Sequence, residues 1–149
     1  MTSRRRRDRG DRGSAVVETT WLALLLLIPL VYVVIAVFEV QRAAYGVSAA
    51  GRAAGRAFVQ APDPGVAEAR AVRAAELVLE DHRISASEGS VRVRCTGGPC
   101  LSPGSSVVVT VSSRAPLPFL PDVLGGARPS VRVSSTHTEP YGRFREDRS

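Results

Sequence analysis

Residues 13–39 read GSAVVETTWLALLLLIPLVYVVIAVFE, and the twenty residues between Glu18 and Glu39 carry no charge. At about 1.5 Å of helical rise per residue such a run reaches roughly 30 Å, the thickness of the hydrocarbon core of a bilayer. The stretch therefore predicts one membrane-spanning helix. Trp21 lies near one end of it, where an interfacial anchor belongs, and Tyr32 lies deeper. Pro29 falls mid-span; its missing amide proton frees the carbonyl of Leu25, which a membrane helix tolerates where neighbours or local adjustment satisfy it.

Upstream of this run, Arg4, Arg5, Arg6, Arg7, Arg9 and Arg12 face only Asp8 and Asp11, so most of the formal charge of +6 sits in the first twelve residues. A basic block abutting a span is a topology signal: it predicts a cytoplasmic N-terminus and an extracytoplasmic remainder. Because the rest of the chain is nearly balanced, the high pI gives no case for nucleic-acid binding. Residues 1–13 have no apolar residue after Met1 and are expected to be a disordered basic leader. A cleaved secretory signal has a shorter apolar segment with a small-residue site close behind it. Here the best such site, Val47-Ser48-Ala49, lies well beyond the run, with Glu39 and Arg42 between. A retained anchor is expected.

Downstream, Ala43, Val47, Ala50, Gly51, Ala54 and Phe58 recur at spacings of three and four, which is one helical face. The span is expected to continue outward without a break, as one helix from Ser14 to Val59. Gly51 and Gly55, together with Gly46, Ala50 and Ala54, keep that helix thin. Each interior glycine costs about 1 kcal/mol relative to Ala, so a close backbone neighbour is the expected compensation. That neighbour is either another subunit or the chain's own following domain. Arg42, Arg52 and Arg56 fall off the stripe.

Ala61-Pro62-Asp63-Pro64-Gly65 ends the helix. Val66 to His82 reads as a second helix, with Val72, Ala75, Leu77, Val78 and Leu79 apolar. After a turn at Ser85–Gly89 the period changes from 3.6 to 2. Val91, Val93 and Cys95 alternate with Arg92 and Arg94; Val107, Val109 and Val111 form a second alternating run; Val131 and Val133 alternate with Arg132 and Ser134. Three strands are predicted, the first two joined as a hairpin through Thr96–Gly104. Ala115–Ser130, with Pro116, Pro118 and Pro121, is expected to hold no regular strand. Its Pro121-Asp-Val-Leu-Gly-Gly segment suits one glycine-capped helical turn, and Leu117, Phe119, Leu120 and Leu124 are expected to lid the sheet. The segment from Thr138 to Ser149 reads as a loose polar tail. The fold class is α+β: a long N-terminal transmembrane helix continuing outward, a second helix and a small three-stranded antiparallel sheet. Its parts are a leader (1–13), a span (14–40), an outward continuation (41–60), a small α+β domain (61–138) and a tail (139–149).

Few residues offer chemistry. Cys95 and Cys100 bracket Thr-Gly-Gly-Pro at the hairpin tip, a gap short and pliable enough for a disulfide in an oxidising compartment. A zinc site of Cys95, Cys100, His82 and His137 is the sharper alternative, but its histidines sit on separate elements, so no metal and no cofactor are expected. No nucleophile elbow, metalloprotease motif or phosphate loop occurs, and no catalytic residue is assigned.

Glu18 remains. A carboxylate at the edge of an apolar run costs up to about 3 kcal/mol if it stays charged and unpaired there. It either snorkels to cytoplasmic water beside Arg12 or pairs with a cation. A cut between Gly13 and Ser14 would create an amine one helical turn away, and the amine of one subunit would neutralise the carboxylate of the next.

Arg-Gly-Ser-Ala-Val-Val-Glu, the leucine-rich span, Arg42-Ala-Ala-Tyr and Ala-Ala-Gly-Arg-Ala-Ala-Gly-Arg-Ala-Phe together resemble the TadE/TadG-like family, the minor pilins or pseudopilins of the tight-adherence (Flp, type IVb) pilus system. The resemblance covers about Arg12 to Val59, and the β-rich remainder matches in architecture alone. It implies a pilin-like, membrane-anchored assembly factor, with Gly13 and Ser14 flanking a prepilin peptidase site and Glu18 as the fifth-position carboxylate. The implied partners are other pilins or pseudopilins, the inner-membrane assembly platform, the peptidase and the bilayer, with no nucleic acid and no small-molecule substrate. The family often carries Phe directly after the glutamate, whereas this chain has Thr19 and Thr20 and delays its aromatic to Trp21.

Overall fold

The computed structural model describes residues 11–85, 89–117 and 129–149, with side chains of the first helix from residue 15 onward. Arg4 to Arg9, the expected lid residues Phe119, Leu120 and Leu124, and the capped turn at Pro121 lie outside the described residues. Five elements follow in order: α1 (Asp11–Val59), α2 (Pro64–Asp81), β1 (Ser90–Thr96), β2 (Ser106–Pro116) and β3 (Ser130–Pro140). This is the α+β arrangement of a long apolar helix, a second helix and a three-stranded antiparallel sheet.

The first helix runs 49 residues and passes through Pro29 without ending. It stops at the proline-rich breaker, where the amide of Ala61 donates to Phe58 in a tightened last turn. The second helix starts two residues earlier than its apolar period indicates, because Pro64 occupies its first position and Asp63 caps it, the Asp63 Oδ1 accepting from the Val66 amide at 3.2 Å. It ends at Asp81, with His82 as the cap. The Ile84 amide donates to the Leu79 carbonyl and the Arg83 amide to Glu80, with Arg83 at φ 58°. These two bonds close the end of the helix and bring the buried Ile84 beside Leu79.

The core lies within residues Phe38–Ser149, which form one compact unit. Val47, Ala50, Ala54 and Phe58 contribute from α1, Ala67, Ala71, Ala75 and Leu79 from α2, and Val107, Val109 and Val111 from β2. The buried row of α2 is thus made mainly of alanines four residues apart. Val72 and Val78 flank it half-buried, and Leu77, two residues beyond Ala75 and so on the opposite side of the helix, is exposed.

The sheet order is β1-β2-β3, antiparallel throughout. In this register Val91, Val111 and Ser135 lie in one row, and Val93, Val109 and His137 in the next. Odd-numbered residues face the core, with Val107, Val109 and Val111 fully buried, and even-numbered ones face outward.

Both outer limits of the sheet differ from expectation. Strand β2 continues to Pro116, tolerated as a final residue where the ladder closes with the Leu117 amide donating to Pro129. Strand β3 continues from the Val131–Ser134 alternation to Pro140. The polar run Ser135-Thr-His-Thr-Glu gives no apolar alternation, yet it pairs fully with β2.

The tail is tied down, contrary to its polar composition. Tyr141 is 1% exposed; its amide donates to Ser105, its carbonyl accepts from Gly104, and its hydroxyl donates to the Glu146 carbonyl at 2.7 Å. The Arg145 guanidinium stacks 4.6 Å from the Tyr141 ring centroid and donates to the Val59 carbonyl at 2.9 Å. Arg148 donates to the Ala61 carbonyl at 3.2 Å. The last residues of the chain therefore cap the C-terminal end of α1, where free carbonyls and the negative end of the helix dipole attract cations.

Candidate functional site

The apolar run forms the first of two candidate surfaces. Among the described residues one helix is long and apolar enough to cross a membrane; its most apolar stretch has a mean hydropathy of 2.8 and none of it is buried. Val16, Trp21, Leu25, Ile28 and Phe38 are each 67–69% exposed. Thr19 and Thr20 do not break this character, because their hydroxyls donate to the carbonyls of Ala15 and Val16 at 2.7 and 2.8 Å. Glu18 is exposed on the same helix, and among the described residues no cation pairs with it. The Gly13–Ser14 bond lies within the first turns of α1, one turn before Glu18. At the other end of the run Glu39 pairs with Arg42 one turn on.

The small-residue face has its neighbour within the chain. A side chain at Gly46 would meet Ile84 Cδ1 at 2.8 Å and His82 Cβ at 3.0 Å. One at Gly55 would meet Glu139 Cβ at 3.1 Å and His137 Cδ2 at 3.3 Å, and one at Gly51 would meet His137 Cβ at 3.5 Å. Ala50 and Ala54, between them, are fully buried. Of the two alternatives for this face, the chain's own domain occupies it. What α1 leaves outward is a different stripe: Gln41, Tyr45, Arg52 and Arg56 are exposed, with Ser48 half-buried and accepting from Arg52 at 3.0 Å. Tyr45, 70% exposed, is the large side chain on it. Its spacing of three and four from its neighbours was the available signal, masked in the sequence by the stronger apolar stripe one face away.

Cys95 and Cys100 are joined as a disulfide, with Cα atoms 5.4 Å apart. His82 packs beside Gly46 and His137 beside Gly51 and Gly55, so neither approaches a metal set with the cysteines; among the described residues no group of three or more metal-ligating side chains gathers. His137 Nε2 lies 3.0 Å from Glu139 Oε2, both half-buried against the α1 face. Two further residues that pattern reading assigns to loop or tail, Leu101 and Tyr141, are completely or almost completely buried.

The second surface is the outward face of the sheet. Arg92, Arg114 and Arg132 line an open recess of about 670 Å³ together with Ser90, Thr110 and Ser112. Arg94 lies on the same face, and Arg114 and Arg132 are direct cross-strand partners. The Ser90 and Ser112 hydroxyls are 2.8 Å apart and those of Thr110 and Thr136 3.1 Å apart, tying the three strands across this face. Compared with protein-family models, curated proteins and solved structures, the chain matches none.

Proposed function

We propose that this chain is a single-pass membrane-anchored protein of the TadE-like minor pseudopilin type, which assists assembly of a type IVb (tight-adherence) pilus or a related secretion system and has no catalytic role of its own. The observation that carries the reading is the continuity of α1. One unbroken helix begins beside Gly13 and Ser14, presents an exposed apolar run with Glu18 near its start, and contributes its last turns to the core of a small α+β domain. An anchor that is also a core helix suits a subunit that must be drawn from a membrane without losing its fold. The arginines of the leader favour a cytoplasmic N-terminus and an extracytoplasmic domain, where the Cys95–Cys100 disulfide persists.

On this reading Gly13–Ser14 is the peptidase site, and the Ser14 amine of one subunit neutralises Glu18 of the next. The partners are other pilins or pseudopilins and the assembly platform in the bilayer. The outward stripe through Tyr45 and Arg52 is the surface of α1 available to them, since Gly46, Gly51 and Gly55 are already covered.

The test is N-terminal sequencing and intact mass of the protein recovered from membranes of cells with their processing enzymes, paired with Glu18→Ala. A start at Ser14, and fewer pili with normal membrane insertion in the variant, is the expected result. A start at Met1 with unchanged piliation would overturn it. A single-pass extracytoplasmic binding protein unrelated to pili is the second reading, favoured by the arginine-lined recess; unaltered pili on deletion of the gene, with no co-purifying pilin, would select it.

A further inference from the structure

We propose that the outward face of the sheet binds an anionic polysaccharide, a hydroxyl-rich chain bearing carboxylates or phosphates at intervals. In the three strands every outward, even-numbered position is Arg, Ser, Thr, Pro or Val, so this face carries four cations, Arg92, Arg94, Arg114 and Arg132, and no acid. All four are exposed, and none makes an ion pair among the described residues.

Two features separate this face from an ordinary solvated one. Arg114 and Arg132 stand directly opposite each other in the register, and like charges so placed are destabilising. Cross-strand partners are close enough for both side chains to reach one oxyanion, each as a charge-assisted donor. Furthermore, the arginines are strung out. Arg94 is opposite Val108, six residues before Arg114 on β2, a distance of about 20 Å at about 3.4 Å per residue. Arg92 falls between. One small ligand cannot bridge that length, whereas a linear polymer with repeated anionic groups can meet each arginine in turn.

The residues between the arginines decide the class of polymer. They are hydroxyls, Ser90, Thr110, Ser112 and Thr136 among them, which suit sugar hydroxyls as donors and acceptors. No aromatic side chain lies at an outward position of the sheet. Single-stranded nucleic acids are held by stacking on aromatics, so this face lacks what they need. That such a polymer meets the domain in the cell rests on the orientation proposed above; the binding itself does not.

The experiment uses the full chain in detergent micelles, with polygalacturonate as the probe, dextran of equal length as the uncharged control and an oligothymidylate as the competing polymer class. Polygalacturonate is expected to bind, more weakly as salt rises, and dextran not to bind. Changing Arg114 and Arg132 to Gln is expected to weaken binding at least about tenfold, because charge-assisted bonds are lost, with the unfolding midpoint unchanged or raised, because a like-charge pair is relieved. Changing Arg4, Arg5, Arg6 and Arg7 to Gln is expected to leave the affinity within about twofold, on the same charge argument. Affinity unchanged in the sheet variant, lost in the leader variant, equal for dextran, or tighter for oligothymidylate overturns the proposal.

Discussion

Three glycines of α1, each changed to alanine, should give three different results although they lie within ten residues of one helix. Alanine in a helix interior gains about 1 kcal/mol over glycine wherever its methyl group has room. At Gly51 it has room: the nearest atoms would be His137 Cβ at 3.5 Å and Val111 Cγ2 at 3.9 Å, ordinary contact distances. Gly51→Ala is therefore expected to stabilise the domain by about 1 kcal/mol. At Gly46 the methyl would meet Ile84 Cδ1 at 2.8 Å, His82 Cβ at 3.0 Å and His82 Cγ at 3.2 Å. Ile84 Cδ1 can turn aside. His82 Cβ cannot, because the His82 amide donates to the last turn of α2 and fixes its position. Overpacking of this kind costs about 1–3 kcal/mol, so after the helical gain Gly46→Ala is expected to destabilise by about 1 kcal/mol. Gly55→Ala, with contacts of 3.1 and 3.3 Å, should fall near zero. Urea unfolding of the full chain in micelles, read by pulse proteolysis, measures this. With a slope of about 2 kcal/mol per molar, the Gly51 and Gly46 variants should separate by about 1 M in midpoint. Equal stabilisation by all three would refute the reasoning, since it would mean that propensity alone acts and no part of the chain covers this face.

Two other expectations concern the ends of the domain. Reducing the Cys95–Cys100 disulfide, or replacing both cysteines by serine, should cost about 2 kcal/mol, the chain-entropy value for so short a loop, visible as a urea midpoint lowered by about 1 M and abolished by reductant in the wild type. Arg145→Ala combined with Arg148→Ala should also cost about 2 kcal/mol, because both charged donors to the carbonyls of Val59 and Ala61 are lost; an unchanged midpoint would show that the tail is not a cap.

Much of the fold was legible because it rests on local periodicity. The uncharged run after Glu18, the three-and-four spacing from Ala43 to Phe58 and the alternation at Val107, Val109 and Val111 each specify an element from neighbours in sequence. So does the Cys95–Cys100 pair, whose two residues share one turn. The spacing of Gly13, Ser14 and Glu18 is likewise a property of the chain alone.

Tertiary structure decided what composition could not. Polar residues 135–140 form strand because β2 offers an unpaired edge, and backbone hydrogen bonds do not depend on side-chain polarity. Tyr141, Arg145 and Arg148 are ordered because the end of α1, more than eighty residues earlier in the chain, presents free carbonyls to them. The thin face of α1 has a covering only once the sheet lies against it, and the four arginines become one surface only when three strands are in register. Sequence by itself determined the elements where a local period marks them, since those depend on residues a few positions apart; the polar half of β3, the ordered tail and the neighbours of every element depend on contacts closed across the whole domain, and only the fold supplies them.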